Sequence, residues 1–142
     1  MQLLSANPTI TTASIPLLLE WWQQRKRLAT ANGVNSLPVF KNTDDSYLDA
    51  YRRLMEVYSV VKSGGVQVQT EAAKAHLSRE LAALHQAADA AASERQAQIQ
   101  QEILELERST AWRLSTLNTI RPAEEAAVRQ YLSEIEQVLL LH

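Results

Sequence analysis

Histidine, carboxylate and tryptophan side chains are the candidates for chemistry in this chain, and their spacing decides what each can do. His76 and His85 lie nine residues apart, a little over two helical turns, so they are not the i, i+4 pair that chelates a metal on one helix face. His85 and Asp89 do stand at i, i+4, but a metal site needs three or four ligands. His142 is terminal. Glu102, Glu105 and Glu107 form one acidic group, and Glu124 and Glu125 another. Di-metal helical bundles carry Glu-x-x-His on inward positions, and no Glu-x-x-His occurs here. The chain contains no Cys, which removes thiolate ligands, disulfides and Cys nucleophiles. It also contains no P-loop, GxGxxG, GxSxG or HExxH pattern. No catalytic residue, metal ligand or cofactor site is expected, and the chain is not expected to be an enzyme.

The most unusual local composition is Glu20–Leu28, EWWQQRKRL. Trp21 and Trp22 followed by Arg25, Lys26 and Arg27 are the residue types of an interaction surface. Rings can sit at headgroup depth with cations on phosphates, or form a hot spot for a protein partner. Neighbouring helical residues point about 100° apart, so both rings cannot occupy one narrow face. The plainer reading is one Trp in the core and three solvated cations.

Gly 3 and Pro 4 are very low counts for 142 residues, which means few turns and long elements. Ala, Leu, Gln and Glu dominate, and all four favour helix. The net charge of −2 provides no long-range field to gather nucleic acid or an anionic membrane, so neither is the expected partner and both are kept only in the alternative reading. The opening MQLLSANPTITTASIP lacks a basic n-region and a sustained apolar run, and no stretch is long enough to span a bilayer, so a cytoplasmic location is expected.

The pattern predicts an all-α bundle of about four helices. Residues 1–13 are Ser/Thr/Asn-rich and read as a flexible arm, and residues 14–142 as a single helical domain. A first helix over 14–32 has Ser14 as its N-cap, Pro16 in its first turn and Gly33 as its stop. Leu37, Val39 and Phe40 make the following loop apolar enough to fold back. A second helix over 44–63 follows Thr43 as cap. It carries a stripe of Tyr47, Tyr51, Leu54, Tyr58 and Val61, widened by Leu48 and Met55. The tyrosines read as core, and Arg52 and Arg53 as solvent-facing. Gly64 and Gly65 end this helix, and VQVQ reads as linker. A fourth helix over 122–141 starts at Pro122 and buries Val128, Tyr131, Leu132, Ile135, Val138 and Leu139.

The third element sets the expected architecture. From Val66 to Arg121 there is neither Gly nor Pro, and Thr70 and Pro122 bracket one helix over 71–118, about 48 residues or roughly 70 Å. Its apolar positions repeat every eleven residues: Leu77, Leu81, Leu84; Ala88, Ala92, Arg95; Ile99, Ile103, Leu106; Thr110, Leu114, Leu117. That period predicts a straight or slightly right-handed coiled-coil-like seam. The second set is weak, so any bend belongs between Ala88 and Gln98. The three shorter helices are too short to cover so long a seam, so a homodimer through Leu77, Leu81, Leu84, Ala88, Ala92, Ile99, Ile103 and Leu106 is expected. The corresponding function is a non-enzymatic protein-interaction module: an adaptor, assembly factor, chaperone or small structural subunit. The alternative is a membrane-surface or nucleic-acid binder using the Trp/basic first helix.

Overall fold

The Gly- and Pro-free segment does not run as one helix. In a computed structural model, which describes residues 9–32 and 44–140, it divides into α3 (Val66–Ala90) and α4 (Ser93–Asn118), joined by Ala91 and Ala92. The expected 48-residue helix is thus a helical hairpin. The break falls inside the weak stretch, where two alanines and Arg95 offer the seam little to bury. Folding back there lets the two Leu/Ile-rich halves of the seam cover each other. Ala91 (φ −93°, ψ 151°) and Ala92 (φ −69°, ψ 161°) are both extended. The Gln96 side chain reaches back and donates to the carbonyls of Ala88 and Ala91, each at 3.2 Å.

This hairpin makes up one of two compact units, residues 63–120. Leu77, Leu81, Leu84 and Ala88 form a half-buried stripe along α3. On α4 Ile99, Ile103, Thr110 and Leu117 are buried, with Leu106 and Leu114 half-buried. The two stripes meet along the hairpin. No residue of α3 is fully buried, whereas α4 buries Ile99, Ile103, Thr110 and Leu117. The VQVQ stretch is the first turn of α3 rather than linker. Gly65 precedes it at φ 105° and Gly64 at φ 111°, backbone angles that suit glycine.

The other unit gathers residues 1–62 with 121–142. It contains α1 (Ser14–Asn32), α2 (Asp45–Lys62), α5 (Pro122–Gln130), α6 (Leu132–Ile135) and a π-helical turn at Glu136–Leu140. The expected fourth helix is therefore interrupted at Tyr131 and again where the helix widens. The core of this unit is Ile15, Leu18, Leu54, Val57, Val60, Val128, Ile135 and Leu139. The cap of α1 differs from expectation. Thr11 Oγ1 accepts from the Ser14 amide at 3.0 Å and Ser14 Oγ accepts from the Thr11 amide at 2.8 Å, a reciprocal box in which Thr11, not Ser14, is the cap. The end of the expected flexible arm is also docked: Ile10 is buried. Gly33, the apolar loop at Leu37, Val39 and Phe40, the Thr43 cap, Leu141 and His142 lie outside the described residues. All described elements are helical, and among the described residues no helix is long and apolar enough to cross a membrane.

Candidate functional site

Trp21, Trp22, Arg25 and Lys26 of α1 turn toward their own unit, while Arg27 stays exposed. Trp21 is buried and stacks on Tyr47 with centroids 5.1 Å apart and planes 9° apart. Trp22 is half-buried and stacks on Tyr51 at 5.1 Å and 11°. The two indoles touch at 5.8 Å in a tilted pair. Residues 21/22 on α1 and 47/51 on α2 (one turn apart) thus form a two-rung aromatic ladder, so the 100° divergence of the indoles is used rather than wasted. Trp21 Nε1 donates to Asp44 Oδ1 at 2.9 Å, and Arg25 Nη2 donates to the same oxygen at 2.7 Å. Asp44, buried at the start of α2, is held there by a ring N–H and a guanidinium. Lys26 Nζ donates to the Val138 carbonyl at 2.8 Å, one of the carbonyls a helix C-terminus leaves for a cation. Arg27 is exposed and, with Gln23, Lys26, Gln137 and Val138, borders an open depression of about 390 Å³.

A second polar centre lies at Glu124, which is only 1% exposed. Arg53 grips its carboxylate with two parallel bonds, Nε to Oε2 at 3.0 Å and Nη2 to Oε1 at 2.8 Å. The Ile10 amide donates to Oε2 at 3.1 Å and the Arg121 amide to Oε1 at 3.2 Å. Burial alone pushes this carboxyl's pKa up, but the Arg53 bonds and the two backbone amides outweigh it and hold the pKa below the ordinary value. The Arg53 guanidinium is correspondingly raised, chiefly by its bond to Glu124 and against its own burial. Arg53 was expected to face solvent; instead it ties α2 to α5 while Arg52 is exposed. On the same unit Tyr58 Oη donates to Glu136 Oε2 at 2.7 Å, and Lys62 pairs with Glu136 at 3.2 Å. The hydroxyl bond raises the Tyr58 pKa and, with Lys62, lowers that of Glu136. Glu124 takes four donated bonds and Glu136 is held by Tyr58 and Lys62, and both carboxylates join elements.

The hairpin carries the opposite kind of surface. Trp112 is 77% exposed and Leu104 52% exposed on α4, and Val68 is exposed on α3. Trp112 follows the inward-facing Thr110 by two residues, so it lies roughly 200° round the helix, on the face turned away from α3. His76, His85 and Asp89 are exposed along α3.

The chain matches no family model, no curated protein and no solved structure.

Function therefore has to be read from these surfaces. The structure brings Trp21, Trp22 and Arg25 together with Tyr47, Tyr51 and Asp44, leaves Arg27 in solvent, and distributes Leu77, Leu81, Leu84, Ala88, Ile99, Ile103 and Leu106 over the two facing sides of one hairpin. Ala92 is exposed at the connection. Sequence reasoning missed Trp112. Its signal was present: it falls two residues after Thr110, outside every position of the eleven-residue seam, and a Trp off the seam of a helical hairpin has no inward place to go.

Proposed function

We propose that this chain is a non-enzymatic protein-interaction module, an adaptor, assembly factor or small structural subunit acting in the cytoplasm, in which the hairpin presents Trp112 to a protein partner and the eleven-residue seam supports association with a second copy. The exposed indole carries this reading. A Trp buries more apolar area than any other side chain when a partner covers it, and Trp is among the residues enriched at binding hot spots. Leu104, two turns earlier on α4, widens the apolar surface beside Arg108. The buried Glu124 carboxylate, with all four of its bonds going to Arg53 and two backbone amides, supports a joining role for the other unit rather than acid–base work. The alternative, a membrane-surface or nucleic-acid binder, draws its side chains from Trp21 to Arg27, most of which are engaged within the bundle.

The reading is tested by affinity capture with the full chain, comparing it with Trp112→Ala. Partners are expected to be retained by the parent chain and lost from the variant, with unchanged helicity by circular dichroism. Identical capture by both chains would reject Trp112 as the contact.

A further inference from the structure

The connection between α3 and α4 is unusual for a hairpin. Residues 89–93 read Asp-Ala-Ala-Ala-Ser; Asp89 and Ser93 are turn-compatible but belong to the ends of α3 and α4, and the connection itself, Ala91–Ala92, holds none of the Gly, Pro, Asn, Asp or Ser that turns normally recruit. Alanine is the best helix former and among the poorest N-caps. Ala92 occupies the N-cap of α4 and makes no side-chain cap bond. Both hinge residues already have negative φ, −93° and −69°, so two ψ rotations toward the helical value near −42° make α3 and α4 one continuous helix. That helix, Val66–Asn118, would be roughly 80 Å long. The seam keeps its phase across the hinge, since Ala88, Ala92, Arg95 and Ile99 follow the same eleven-residue spacing as the Leu/Ile sets on either side.

We infer that the hairpin opens at Ala91–Ala92 and that a second copy of this chain takes the place of the lost half, giving an antiparallel, domain-swapped dimer. In the hairpin Gln69 and Arg113, Ala73 and Thr110, and His76 and Leu106 line one groove. The midpoints of these pairs fall at the hinge. Two opened helices crossing antiparallel at that point therefore remake the same pairs between chains, and Ala87, Ala88, Ala90, Ala91 and Ala92 at the crossing let the backbones approach. Residues 121–142 belong to the same unit as 1–62, so they exchange with α4, and Glu124 of each chain meets Arg53 of the other. The exchange keeps the native contacts and adds helical hydrogen bonds through the hinge. It gives up the two Gln96 side-chain bonds to Ala88 and Ala91, whose carbonyls bond backbone amides in a continuous helix. Release of the C-terminal segment makes interconversion slow, so the dimer forms when concentrated chains refold together.

The inference deepens the self-association part of the proposed function and is independent of Trp112, which faces outward from α4 in both forms. The experiment refolds the full chain from urea at low-micromolar and near-millimolar concentration and weighs the products by light scattering after size exclusion. The expected result is monomer at the first and dimer at the second. Gln96→Ala raises the dimer fraction. Ala92→Pro suits the hairpin, because position 92 already has φ near −65° and Ala91 the extended angles wanted before proline. It breaks the continuous helix, lowering dimer formation by about a hundredfold per chain. The absence of Cys allows a reporter: Ala73→Cys with Thr110→Cys, treated with a short bismaleimide, crosslinks within one chain in the monomer and between chains in the exchanged dimer. Trp112→Ala leaves the dimer fraction unchanged. A monomer at all concentrations for both the parent and Gln96→Ala, a dimer equally populated in Ala92→Pro, or a dimer crosslinked only within chains would each overturn the exchange. Those outcomes leave the Trp112 capture experiment to decide the partner surface separately.

Discussion

Replacing Glu124 with Ala tests whether one buried carboxylate holds three parts of its unit together. The side chain accepts from Arg53 twice, from the Ile10 amide and from the Arg121 amide. Its removal takes both bidentate bonds from the Arg53 guanidinium, 17% exposed, and leaves Glu56 at 3.2 Å as an anionic neighbour. Breaking a buried pair on one side costs about 3–5 kcal/mol, and each buried amide left without an acceptor about 1–3 kcal/mol. These costs overlap, and both Glu56 and water relieve Arg53, so about 3 kcal/mol is expected in total. For a chain of this size that lowers Tm by roughly 6–12 °C. Urea unfolding followed by circular dichroism measures it. Arg53→Met on top of Glu124→Ala is expected to recover part of the loss, because it removes the stranded charge. Acid adds a second readout. The Glu124 pKa is lowered on folding, so its contribution is fully present above the unfolded carboxyl value of about 4.3 and is lost as pH falls through the lower folded value. Glu124→Ala flattens that acid limb. A loss below about 1 kcal/mol with an unchanged acid limb would refute the reasoning.

Tyr58→Phe removes the 2.7 Å bond to Glu136 and is expected to cost about 1 kcal/mol in the same urea assay; in the parent chain Tyr58 should ionise above the ordinary tyrosine range in ultraviolet difference titration. Gly64→Ala places a methyl 2.8 Å from Val68 Cγ1 at φ 111°, destabilising the helix start by about 1–3 kcal/mol, with partial relief from Val68→Ala. Ile103→Ala, at a position 7% exposed, is expected to cost about 2–4 kcal/mol and Leu81→Ala, half-buried, about half as much. Amide exchange along α3, which has no fully buried residue, should be faster than at Leu54 and Val57 of α2.

The helical class was legible because patterning, propensity and punctuation agree over most of the chain. The limits of α1 at Ser14 and Asn32 followed from the start and stop signals at Ser14, Pro16 and Gly33, although the capping role moved to Thr11. The split of the third helix was not legible. Helix ends are normally announced by Gly, Pro or a polar cap, and Ala91–Ala92 offers none; only the poverty of apolar area around Ala88, Ala92 and Arg95 marked the place. Trp21 and Trp22 stood out by composition, but their partners Tyr47, Tyr51 and Asp44 lie on another helix, a relation that local spacing does not encode. Glu124 reads locally as a charge favouring a helix N-terminus, and Arg53 as one of two surface cations. Their pairing depends on how α2 and α5 pack, and nothing within either helix signals it.

The separation of the tryptophans has an optical consequence. Trp21 and Trp22, each stacked on a tyrosine in one unit, form a rigid chiral chromophore array that should dominate near-ultraviolet circular dichroism. Trp112, in the other unit and open to water, should contribute red-shifted emission that dissolved acrylamide quenches readily. The native chain therefore carries two intrinsic probes with separable signals. One follows the packing of α1 against α2. The other follows whatever comes to rest on the hairpin, with no label attached.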